Sequence, residues 1–118
     1  MPENCVKSGD TWPWFEATLS NVNGPIDLTK GGPEGKKAKK ITLKWCKKLG
    51  ESPTTGECDT SPLSTLGVVV YKQKNTDFVN SGSTAVELIL EAEIEWEGGA
   101  ITHVPSEGVD TLEVQPHL

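Results

Sequence analysis

At 118 residues the chain is long enough for one domain with a buried core, since folding at this size removes well over half of the unfolded surface from water. A net charge of -6 and a sequence pI of about 4.9 exclude a global attraction to nucleic acid or to an anionic membrane. There is no arginine, so the planar fork that phosphate sites exploit is missing, and 12 glycines and 8 prolines break the chain into short apolar runs without helical period. An all-β protein is expected.

The opening MPENCVKSGD has no apolar stretch of the kind a secretory signal needs, and the longest apolar run, LGVVVY, is too short to cross a bilayer. Synthesis in a cytoplasm, with no membrane partner, is the expectation. Next comes TWPWF, an aromatic cluster in a chain that is only 6% aromatic. Pro13 cannot donate to a strand ladder and belongs at the start of a strand, predicted over 13–20. From there Phe15, Ala17 and Leu19 share one face, and Trp14, Glu16 and Thr18 the other. Phe15 is expected in the core. Trp12 and Trp14 have polar parity partners and are expected to be exposed, which makes them candidates for a protein interface, where tryptophan is enriched. Packing beneath a neighbouring loop is the plain alternative.

A strand is predicted over 25–29, and then lysines accumulate: Lys30, Lys36, Lys37, Lys39, Lys40, Lys44, Lys47 and Lys48. Within KKITLKWCKK the alternation turns Ile41, Leu43 and Trp45 inward and Lys40, Thr42, Lys44 and Cys46 outward. Residues 49–65, rich in turn formers, are predicted to be one long surface loop. A strand over 67–73 and the connection NTDFVNSGST follow.

The clearest element is AVELILEAEIEWEG, residues 85–98. Val86, Leu88, Leu90, Ala92, Ile94 and Trp96 have one parity, and Glu87, Glu91, Glu93, Glu95 and Glu97 the other. Period 2 fits the whole run, whereas period 3.6 scatters the acids around a helix, so this is a long half-buried strand. Gly98 and Gly99 predict a hairpin turn into a strand over 100–104, and a last strand is predicted over 109–114. Lys40 and Lys44 are expected opposite the glutamates if the two strands are neighbours, and each such pair contributes only about 0.2–1 kcal/mol. They are added to the candidate interface.

Chemistry leaves little trace. Cys5, Cys46 and Cys58 are an odd set without CxxC spacing, so reduced thiols are expected, with a Cys46–Cys58 bridge as the oxidised alternative. His103 and His117 stand apart from any nucleophile, the carboxylates lie along one flat strand face, and GGPEGKK lacks the spacing of a phosphate-binding loop. No catalytic residue, cofactor or metal is assigned, and a non-enzymatic protein is expected.

About seven strands with turn signals between them suit a single immunoglobulin-like β-sandwich over residues 1–118, without the Cys, Trp, Cys signature of antibody domains. The motif order then resembles the N-terminal immunoglobulin-like domain of tailed-bacteriophage baseplate upper proteins. The matching pieces are Gly9, Asp10, Thr11 and Pro13, Glu16 to Leu19, Asp27 to Thr29, Thr76 and Asp77, and Glu91 to Pro105. The sequence departs from that pattern over Lys36 to Lys48 with the loop behind it, and at Ala85 and Val86, where a G-T-Y element is expected. The resemblance implies a virion protein, a tail or baseplate component that is oligomeric within the virion and docks onto other phage virion proteins, made and assembled in the bacterial host cytoplasm. The receptor binding of longer family members is not carried over. A capsid decoration or head-to-tail accessory protein is the near alternative, and a carbohydrate-binding module with Trp12 and Trp14 as its platform the distant one.

Overall fold

A computed structural model describes residues 5–105 and 110–116. Its strands in chain order are β1 Cys5–Lys7, β2 Phe15–Thr18, β3 Ser20–Asn21, β4 Gly24–Pro25, β5 Ala38–Cys46, β6 Thr54–Glu57, β7 Val68–Tyr71, β8 Val86–Trp96, β9 Ile101–Val104 and β10 Asp110–Gln115. Among the described residues a 3-10 turn at Pro33–Gly35 is the one helical exception. The chain is all-β, with a curled principal sheet.

That sheet runs β1-β10-β8-β5-β6, and β9 also pairs with β8. β8 is its spine: β5 lines one edge, while β10 and β9 occupy the other edge in succession. The reason is legible in its side chains. Leu88, Leu90, Ala92, Ile94 and Trp96 are all buried, and the residues between them are not. A strand that is apolar on one face and charged on the other has to sit between a core and water. The predicted hairpin forms at Gly98 and Gly99, whose φ values of 94° and 99° suit glycine, and Gly99 N–H donates to Trp96 C=O at 3.0 Å.

β5 repeats the alternation after one irregularity. Ala38 pairs with Trp96 and Lys40 with Glu95, so Lys39 is the extra residue of a bulge. Both Ala38 and Ile41 are therefore buried although three positions apart, and the strand enters the core in phase.

Over the inner face lies a second layer, the antiparallel pair β2–β7, with Phe15 opposite Tyr71 and Ala17 opposite Val69. The layers meet in an aromatic cluster in which Phe78 lies 4.9 Å from Trp45, 5.8 Å from Phe15 and 6.1 Å from Tyr71. Phe15, Trp45 and Trp96 are core residues, as expected, within one contiguous cluster.

Four expectations need correction. The predicted 49–65 loop contains β6, which pairs with Thr42–Trp45 and is followed at once by the buried Cys58. Its decisive residue is Gly56: a Cβ there would lie 2.3 Å from Tyr71 Cε1, so the ring of the second layer rests on bare backbone. A turn-forming residue read as a loop signal is thus a packing device. The predicted 25–29 strand shrinks to β4 because Asp27 draws the chain into a turn: its Oδ1 accepts from Thr29 N–H at 2.9 Å, and its C=O accepts from Gly31 N–H at 2.7 Å. The predicted 13–20 strand breaks at the buried Leu19 into β2 and β3. Finally, β1 lay outside every predicted element. It pairs parallel to β10, a partner far away in sequence that local alternation cannot reveal.

Candidate functional site

Trp12 and Trp14 protrude beside the second layer, 68% and 43% exposed. Their ring centroids are 5.1 Å apart with planes at 77°. Phe15, next in the chain, points into the core, as the strand alternation requires.

What holds the bend is Gln73, a residue that parity and composition did not single out. Its amide is buried. Oε1 accepts from Phe15 N–H at 2.9 Å, while Nε2 donates to Pro13 C=O at 2.8 Å. One side chain thus satisfies a donor and an acceptor on either side of Trp14, where the β2 ladder begins. Upstream, Gly9 N–H donates to Phe78 C=O at 3.0 Å and Asp10 N–H to Lys7 C=O at 3.1 Å, which ties the approach to the same core. The Trp12–Pro13 peptide is cis. Gln73 closes the predicted 67–73 strand, two residues beyond the end of β7, and nothing in that stretch announces its role.

Lys72 completes the patch. Its Nζ stands 4.5 Å from the Trp14 ring centroid and 3.4 Å from Asp59 Oδ2. One face of Trp14 is therefore taken by an ammonium whose charge is already paired. Trp12 meets Trp14 nearly at a right angle, so the pair offers no flat, coplanar platform for successive sugar rings. Behind it opens a recess of about 300 Å³ lined by Val6, Lys7, Asp10, Trp14, Glu16 and Gln73, among others.

Lys40 and Lys44 belong to a different surface. They project from the outer face of the principal sheet, opposite Glu95 and Glu91 in register, whereas the tryptophans flank the other layer. The four candidates are not brought together. Lys44 does meet the acidic strand, but diagonally, with Nζ 3.1 Å from Glu93 Oε1. At the bulge it is Lys39, not Lys40, that reaches Glu95, at 3.6 Å. His103 Nε2 lies 3.1 Å from the same Glu93 oxygen and 3.8 Å from Glu91. The hydrogen bond from Lys44, then its charge and the His103 contact, hold the Glu93 carboxyl below its ordinary range. His117 lies outside the described residues.

All three cysteines are free thiols, so the Cys46–Cys58 alternative does not occur here. Burial, reinforced by Asp59 and Glu57, pushes the Cys58 thiol up to about 12, which keeps it protonated and unreactive. Among the described residues no group of three or more histidine, cysteine, aspartate or glutamate side chains is placed to hold a metal, and no helix is long and apolar enough to cross a membrane.

No protein-family model, curated protein or solved structure matches this chain.

Proposed function

We propose that this protein is a structural component of a tailed-bacteriophage virion, in the tail or baseplate, that docks onto other virion proteins through Trp12 and Trp14. Support for the virion comes from the order of sequence motifs between Gly9 and Pro105. Support for docking comes from one observation: two exposed tryptophans flank a backbone held on both sides of Trp14 by the buried amide of Gln73. A segment whose backbone is already ordered loses less entropy on association, and exposed tryptophans of this kind dominate interface energetics. In the same proposal the two layers are an immunoglobulin-like β-sandwich, with β2–β7 as the reduced second sheet.

A sugar-binding role is less well supported, because Lys72 covers one face of Trp14 and the rings stand at 77°. Lys40 and Lys44 take a secondary place in the proposed interface, since Lys44 is engaged by Glu93.

Immunogold labelling of intact particles tests the location. Label at the tail tip is the expected result. Label over the head would transfer the protein to the decoration class, and a protein absent from both intact and disrupted virions would remove the virion assignment.

A further inference from the structure

The surroundings of the tryptophan pair specify the chemistry of what docks there. Trp14 already attracts a cation within its own chain, Lys72, at 4.5 Å from the ring centroid. That ammonium is neutralised by Asp59, so it adds no net positive charge to the patch. The adjacent recess of about 300 Å³ is walled by Trp14, Asp10 and Glu16, with Lys7 as its one basic lining residue and the buried amide of Gln73 against it. Asp10 and Glu16 are exposed, and neither carboxylate has a hydrogen-bond or ion-pair partner among the described residues. Aromatic faces with unpaired carboxylates beside them are complementary to a delocalised cation that can stack and donate in a plane at once.

We propose, resting on the docking role above, that the recess receives an arginine side chain from an extended segment of a partner protein. The guanidinium stacks against Trp14, the tryptophan that lines the recess, and donates to the carboxylates of Asp10 and Glu16. Lysine is the weaker fit, because its ammonium is a strongly hydrated point charge that neither stacks nor forks. These 118 residues contain no arginine, so a second copy of them does not supply the occupant.

The test uses the full chain, labelled with nitrogen-15 and titrated with acetyl-Gly-Arg-Gly-amide, its lysine counterpart and its citrulline counterpart, which keeps the shape without the charge. The arginine peptide should shift the indole N–H signals of Trp12 and Trp14 and the side-chain amide of Gln73. The citrulline peptide should bind about threefold or more weaker, the factor expected for a surface cation–π contact. An Asp10→Asn, Glu16→Gln variant, altered only at exposed positions, should lose a similar factor. Equal binding of the arginine and citrulline peptides, equal binding of the lysine peptide, or shifts that map elsewhere would each overturn the inference. The docking role is judged separately: if Trp14→Ala abolishes incorporation into particles while no peptide binds the recess, docking stands and the arginine assignment falls.

Discussion

The principal sheet and the tryptophan-bearing layer are stabilised in opposite ways. β8 is paired with β5 on one edge and with β10 and β9 on the other, and its inward residues form an unbroken apolar row. The second layer has only four register pairs between β2 and β7. Around it, individual polar side chains take over: Gln73 reaches back to Pro13 and Phe15 and Asn80 forward to Val114 across long sequence separations, while Asn80 to Thr84 and Tyr71 OH to Asp77 at 2.5 Å tie the chain locally. A sheet built on periodicity tolerates change at any one polar position. A layer tied by single side chains has points at which one substitution releases a whole segment.

The largest expected effect falls on the sheet. Ile94 is fully buried on the inner face of β8, and Ile94→Ala should lower the unfolding free energy by about 2–5 kcal/mol in chemical denaturation. A smaller loss would mean that the core collapses around the cavity. Gly56→Ala should follow, costing about 1–3 kcal/mol because the added methyl displaces the Tyr71 ring and couples the two layers.

Gln73→Leu should cost a similar or smaller amount, roughly 1–3 kcal/mol, by leaving Phe15 N–H and Pro13 C=O without their partner. Its signature is local. Tryptophan fluorescence of Trp12 and Trp14 should change while amide exchange in β8 stays slow, and loss of protection throughout β8 would contradict the division between layers. The smallest effect concerns Glu93. Its folded-state carboxyl titrates below the ordinary 4.5, so the Lys44 and His103 contacts stabilise the fold above that value, and their contribution is lost as pH falls through the lower folded value. In acid titrations Glu93→Gln should remove a shallow slope there, worth less than about 1 kcal/mol for a pair this exposed. An unchanged profile would mean that the acidic face is electrostatically idle.

The same division explains what could be read in advance. β8, the outward lysines of β5, the turn at Gly98 and Gly99 and the core positions of Phe15, Trp45 and Trp96 all follow from side-chain alternation, because their environment is set by residues two positions away. The exposure of Trp12 and Trp14 followed from parity as well. Gln73 did not, since its partners lie 58 and 60 residues back along the chain. Gly56 was misread for a related reason: a missing side chain records the neighbour above it, and that neighbour, Tyr71, is set by tertiary structure. The bulge at Lys39 preserved the phase of β5, so the alternation stayed readable on its far side.

The parallel pairing of β1 with β10 has a mechanical consequence. Cys5, Val6 and Lys7 lie beside Glu113, Val114 and Gln115, and Ser8 N–H extends the contact to Gln115 C=O at 2.8 Å. Tension applied backward along β1 and forward along β10 pulls the two strands past each other along their length. The hydrogen bonds between them are then loaded together in shear instead of being opened one at a time. A domain strung between neighbours by these two strands would yield abruptly, at a force set by the whole contact and not by its weakest bond.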